Sequence, residues 1–317
     1  MQKRTATGPR RGGLFAVPLL ARRGAGAGPR RAALAAAMVF GVGAALLPAL
    51  GVRTLPLPAA PGRYATDDFA AALVHVGPYA EGGRVDYRAL RDDAGSLARF
   101  VATSAVVGPK TTPERFPNEA ARLAFALNAY NANVLAAVLA HYPIASVHDV
   151  RGPLEPTPGF GFFWALRVRI DGQRTNLYDY EHDVIRAFDD ARVHAALNCA
   201  SRGCPPLATR PFEARSLDAQ LDQAMTRMVT LPENLLVDGE TIRLSPLFDW
   251  YREDFVAHAR RLRLAPVPER AGDEGWLLAF VLAFTDGEAQ QSLEGAARSG
   301  RPVAYGEYDW GLNDQRR

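Results

Sequence analysis

The chain has 317 residues, 48% hydrophobic and 22% charged, the mix of a globular protein rather than a disordered or fibrous one. Its formal net charge is +3, yet residues 1–31 hold Lys3, Arg4, Arg10, Arg11, Arg22, Arg23, Arg30 and Arg31 and no acidic residue. Removing those eight charges from +3 leaves about −5 for the remainder. Basicity confined to a tail excludes nucleic-acid binding as the work of the body.

After the basic tail, residues 32–52 carry no charge. That length suffices for a bilayer-crossing helix, with the basic flank cytoplasmic. The run is Ala- and Gly-rich with Pro48 inside, so it reads as a secretion signal as readily as a permanent anchor. Arg30-Arg31 resembles the start of a twin-arginine export signal, though the following residues do not complete it. A cleavage site is expected near Ala59-Ala60. Residues 53–66 read as a Pro-rich extended linker. The first acidic residues, Asp67 and Asp68, open a single globular body over 67–313, and 314–317 form a tail. The body is expected outside the cytoplasmic membrane, periplasmic or at the cell surface, secreted or tethered through 32–52.

Within the body, Asp67 or Asp68 is placed to cap a short helix ended by Gly77-Pro78. A short strand is expected over Arg84–Tyr87 and a helix over Tyr87–Ala105. The strongest helical pattern runs from Asn118 to Tyr142, stopped by Pro143. It contains Asn128, Asn131 and Asn133 among apolar residues. Such amides either brace neighbouring loops or form the polar wall of a pocket. Hairpins are expected over 162–177, turning at Asp171-Gly172, and over 235–244, turning at Asp238-Gly239. Leu177–Phe188 reads as a helix. Val193–Cys199 alternates as a buried strand would, with a helix nearly as well supported. Further helices are expected over 216–230, 246–264, 273–284 and 288–298. The fold class is therefore α+β, predominantly helical, with short hairpins.

Chemistry concentrates at Arg192–Leu207, RVHAALNCASRGCPPL, which holds both cysteines of the chain, Cys199 and Cys204, close to His194. The segments LNAYNA, YEHDVIR, VHAALNCASRGCPPL, LSPLFDWYREDF and YDWGLN together resemble a bacterial and plant family of unknown function, numbered 547. Plant members carry the domain after leucine-zipper segments, some members are joined to glutaredoxin-like domains, and bacterial members are often exported. The resemblance spans about Asp67 to Asn313. It implies one domain and places Asn128, Tyr130, Asn131, Glu181, His182, His194, Cys199, Ser201, Cys204 and Pro205 on family motif positions. It supplies no reaction.

Four readings of the cluster follow. In a thiol-dependent hydrolase or acyl transferase, Cys199 is the nucleophile and His182 or His194 the base. Glu181 or Asp183 then orients that base, and Asn128 or Asn131 donates to an oxyanion. On a strand, His194 and Cys199 face opposite sides, which favours His182. In the second reading Cys199 and Cys204 form a disulfide, structural or redox-active. In the third, His182, His194, Cys199 and Cys204 bind zinc, at spacings that match no standard motif; no other cofactor is expected. The fourth is a binding module in which Trp164, Trp250, Tyr251, Tyr308 and Trp310 are core anchors or line a groove for a peptide or glycan. The pocket residues expected are Asn128, Tyr130 and Ser201. His75, His141, His148 and His258 read as surface or helix-end residues. No protein partner is specified.

Overall fold

A computed structural model describes residues 64–78, 82–152 and 157–316. The expected basic tail, the 32–52 segment and most of the linker lie outside the described residues. Among the described residues no helix is long and apolar enough to cross a membrane.

Helix α1 (Asp67–Leu73) buries Phe69, Ala72 and Leu73. Neither aspartate caps it: Thr66 stands at the N-cap, and Asp68 instead receives the Arg99 guanidinium at 3.0 and 2.8 Å. The helix expected over 87–105 divides into α2 (Tyr87–Asp92) and α3 (Gly95–Ser104), because the backbone leaves helical geometry at Asp93. Asp86 caps α2 by accepting from the Ala89 amide. The expected 84–87 strand shrinks to single bridges from Val85 to Val76 and Asp314.

Helix α4 (Glu119–Leu139) is the central element. Asn118 caps it, its side chain accepting from the Ala121 amide at 2.8 Å. Every residue from Leu123 to Leu135 is buried, so it is a helix enclosed on all sides rather than an amphipathic surface helix.

Strands β1 (Val168–Ile170) and β2 (Gln173–Thr175) form the first hairpin. Asp171 and Gly172 both have positive φ, as a primed two-residue turn requires. The hairpin does not begin at Phe162. Residues Gly161–Ala165 form a π-helical turn, in which Gly161, Phe162 and Phe163 are buried consecutively; a half-buried strand would alternate. Helix α5 (Leu177–Tyr180) likewise widens into a π turn at Glu181–Ile185 and tightens to a 3-10 turn at Arg186–Phe188. The segment expected as a strand is helix α6 (Val193–Ala196). Val193 to Ala200 are all buried, so their alternation in type marks no exposed face.

Helix α7 (Leu217–Thr230) precedes the second hairpin, β3 (Leu235–Val237) and β4 (Ile242–Leu244). The expected 246–264 helix is α8 (Leu247–Trp250) and α9 (Arg252–Arg261), interrupted at Tyr251. Helices α10 (Asp273–Leu282) and α11 (Gly287–Arg298) follow. Strand β5 (Val303–Tyr305), absent from the sequence expectation, adds parallel to β4. The result is mixed helix and strand, predominantly helical.

Two apolar cores result. One surrounds α4 and takes side chains from α1 to α5 and the first hairpin. The other packs α7 to α11 around Met225, Phe248, Phe255, Leu278 and Phe280. Residues 191–200 run along the seam: Ala195 belongs to the second core and Ala196 to the first. The last segment is stitched over that seam. Arg202 and Gly203 amides donate to the Gly311 and Asp309 carbonyls at 2.8 and 2.9 Å, and the Asn313 amide to Ala200 at 3.1 Å. Order continues past the expected boundary at 313, because Asp314 is fully buried and accepts from the Tyr142 hydroxyl at 2.8 Å.

Candidate functional site

The π turn after α5 carries Glu181 inward, and wider turns of this kind recur at functional positions. Glu181 is 4% exposed. Its Oε1 accepts from the Tyr251 hydroxyl at 2.7 Å and its Oε2 from Tyr130 at 3.3 Å. Burial pushes its carboxyl above the usual range, against the opposing pull of His182, Tyr251, Arg186 and Tyr130. Burial also holds Tyr130 and Tyr251 well above ordinary phenol values, so both remain hydrogen-bond donors.

Tyr251 connects Glu181 to a charged cluster. The His194 ring stacks on it at 3.8 Å. His194 Nε2 donates to Asp254 Oδ2 at 2.8 Å, and Arg186 clamps the same carboxylate at 2.7 and 2.9 Å. Burial opposes ionisation of Asp254, but the His194 and Arg186 hydrogen bonds outweigh it and hold the group well below the usual carboxylate range. His194, buried, is pushed below the ordinary histidine value despite Asp254. A cavity of about 280 Å³ lies beyond, lined by Arg186, Asp190, Asp254 and Arg261 among others.

On the other side of the seam, Cys199 and Cys204 are bridged, with Cα atoms 6.1 Å apart. Neither cysteine is free. Cys199 Sγ lies 3.0 Å from the Ser201 hydroxyl and 3.1 Å from that of Tyr308. Cys204 Sγ accepts from the Cys199 amide at 2.8 Å. Cys199 is buried, whereas Cys204 is half-buried.

These positions settle how the expected residues are grouped. The side chains that hydrogen-bond Cys199 Sγ are the hydroxyls of Ser201 and Tyr308. His182 Nδ1 donates to the Tyr178 carbonyl at 3.0 Å and its ring stacks on Tyr178 at 3.9 Å. Asn131 holds backbone: Nδ2 donates to the Ala196 carbonyl at 2.9 Å and Oδ1 accepts from the Asn198 amide at 3.0 Å. Asn128 does the same for Phe212, at 2.9 Å in both directions. The amides thus brace the backbone on either side of the cysteine segment, at 196–198 and at 212. The four-residue zinc set does not assemble, because both sulfurs are bonded to each other and the imidazoles face other partners. Among the described residues no group of three His, Cys, Asp or Glu side chains could hold a metal ion. His258, expected near the surface, is 3% exposed and accepts the Ala191 amide at 3.0 Å.

Several members of the site escaped the sequence reading as chemistry. Asp254 and Arg186 lie in the quoted WYREDF and YEHDVIR segments, and only the fold pairs them. Asn198 and Asn313 join the cysteine loop to the terminal segment at 3.2 Å, and Asn313 also accepts from the Tyr87 hydroxyl at 2.7 Å. Tyr308 reaches the bridge through Cys199 Sγ at 3.1 Å, and Trp310 packs on Tyr308. With Trp250 and His148 they form a shelf of contacting, half-buried rings: Trp250–Tyr308 at 4.9 Å, Tyr308–Trp310 at 4.5 Å and His148–Trp310 at 4.5 Å.

No curated protein and no solved structure matches this chain. Residues 114–229 span α4, the Glu181 turn, α6, both cysteines and α7. They match the family model described as "Protein of unknown function, DUF547".

Proposed function

We propose that the protein is an extracytoplasmic, secreted or membrane-tethered binding module, clamped by the Cys199–Cys204 bridge, that holds a glycan against the ring shelf of His148, Trp250, Tyr308 and Trp310. The observation that carries this reading is the shelf itself. Large aromatic rings usually bury their faces in a core. These four touch one another yet all remain partly exposed. Charged groups suited to hydroxyl recognition border them: Asp249 paired with Arg252 at 2.9 Å, and Asp309 with Arg202 at 3.5 Å. Rings for the apolar faces of sugars, with convergent polar groups at the edge, follow the usual pattern of small-ligand sites. The bridge and the 202–203 amides fix the backbone that presents Tyr308 and Trp310, which lowers the ordering cost of binding. A thiol-dependent hydrolase needs a free sulfur with an imidazole beside it. The bridged sulfur and its hydroxyl neighbours favour the binding module instead.

The test is titration of the full chain with soluble cell-wall glycan fragments, read by tryptophan fluorescence and calorimetry. Saturable binding is expected, weakened at least about tenfold in W250A and W310A, the loss of one ring's stacking contact. Absence of saturable binding to every fragment, or binding that both variants leave intact, rejects the assignment. Binding of proline-rich peptides at the same rings, with glycans inert, makes it a peptide module.

A further inference from the structure

The bridge has two unlike ends, and the difference has a chemical meaning that does not depend on what the ring shelf binds. Cys204 is partly exposed and Cys199 only 8% exposed, so Cys204 is the more accessible of the two residues. Cys199 is buried, and two hydroxyls surround its sulfur. Ser201 itself is 1% exposed. In the bridged state its hydroxyl donates to Tyr308 at 3.1 Å. Rotation of that one hydroxyl aims both protons at Cys199. Burial raises the Tyr308 phenol, which therefore keeps its proton to donate.

We propose that Cys199–Cys204 is a thiol–disulfide exchange site, entered at Cys204, in which Ser201 and Tyr308 stabilise Cys199 as the leaving thiolate. An incoming thiolate donates its electron pair to Cys204 Sγ and forms a mixed disulfide. The Cys199–Cys204 bond breaks, and its pair stays on Cys199, where the two hydroxyls receive the charge. A second thiolate attacks the sulfur of the first at the mixed disulfide and releases Cys204 as a thiolate. Two thiols are thereby oxidised to one disulfide, and the protein pair gains two electrons. The two protons lost by the thiols end on the two cysteines or in water. The Cys199 amide, 2.8 Å from Cys204 Sγ, is placed to stabilise that second thiolate. Exchange rates rise with the stability of the leaving thiolate and with access to the attacked sulfur, and here the two requirements fall on opposite ends of one bond. The arrangement differs from a purely structural bridge, in which neither sulfur needs polar company.

The probe is dithiothreitol, applied to the folded, bridged full chain without denaturant, with reduction followed by alkylation and mass. Reduction proportional to thiol concentration is expected. S201A and Y308F are expected to slow it about tenfold each, the effect of one hydrogen bond to a charged sulfur. In C199S the remaining Cys204 is expected to form a mixed disulfide with an aromatic disulfide reagent at least about tenfold faster than Cys199 does in C204S. Melting temperatures of all variants accompany the rates. If Y308F does not fold, S201A decides. The proposal fails if reduction becomes independent of thiol concentration and tracks global unfolding. It also fails if S201A reacts at the wild-type rate, or if Cys199 is the faster single cysteine.

Discussion

The second core and the seam beside it are held together by different physics. Phe248, Phe255 and Phe280 pack within the α7–α11 core at ring distances of 4.9 to 5.1 Å, all three fully buried, with His194 and His258 edge-on to Phe255 and Phe280 at 5.4 and 5.5 Å where the core meets the charged groups. A few residues away the seam buries a carboxyl, two phenols and an imidazole, and the cluster continues to an Arg–Asp pair. Apolar packing is indifferent to pH. A seam of titratable groups makes stability depend on protonation. The lesson is that this fold concentrates its titratable groups where the two cores meet, while rings such as Phe248 lie one layer further in.

The largest effect that separates the regions is F248A, at a fully buried ring packed on Phe255. Removing this ring is expected to cost about 3–5 kcal/mol of unfolding free energy. Urea titrations should give the same loss at pH 5 and pH 8. A loss that changes with pH would mean the seam reaches into that core.

D254N ranks next. It removes the charge that Arg186 and His194 share and leaves one acceptor oxygen for their three hydrogen bonds, with an expected cost of about 1–3 kcal/mol near neutral pH. Asp254 has a depressed folded pKa, so its contribution is present above the ordinary aspartate value, about 3.9, and is lost as pH falls towards the folded value. His194, also depressed, adds loss on the same side, beginning below its ordinary value of about 6.5. Wild-type stability should therefore drop on acidification from pH 7 to pH 3; D254N should lose the Asp254 share of that drop, which falls near and below about pH 3.9, while its His194, without the carboxylate that raises it, should lose more below about pH 6.5. Parallel curves for the two proteins would show that the Asp254 pair does not govern acid stability.

E181Q is the smallest and has the opposite sign. The Glu181 carboxyl is raised by burial, so its stability is whole below the ordinary glutamate value, about 4.3, and declines as pH rises towards the folded value. A glutamine keeps an acceptor for one tyrosine and carries no charge. The variant is expected to gain up to about 1 kcal/mol on wild type as pH increases from 4 to 8, measured by thermal melts across that range. A gain that instead appears on acidification would reverse the assignment of Glu181 as a carboxyl that resists ionisation.

The sequence by itself determined the elements whose signals are local. The Asn118 cap and the apolar run that follows specify α4. Asp171-Gly172 specifies the first hairpin, since few residue pairs accept positive φ at both positions, and Asp238 shapes the second by accepting from the Glu240 and Thr241 amides. The closeness of the two cysteines also made a bridge feasible before any fold was known. Tertiary structure alone decided the rest. Val193–Ala200 alternates in residue type but is enclosed on every side, so period two carried no information about strand or helix. The π turn at Glu181 has no residue signature, and the tyrosines that bind its carboxyl, Tyr130 and Tyr251, lie 51 and 70 positions away. Strand β5 exists only because β4 offers it an edge. The partners of Cys199 behave likewise: Tyr308 sits 109 residues downstream and reaches the sulfur only because the terminal segment is stitched across the seam. Short-range sterics are written residue by residue, whereas the environment of a buried polar atom is set by whichever distant segments pack against it.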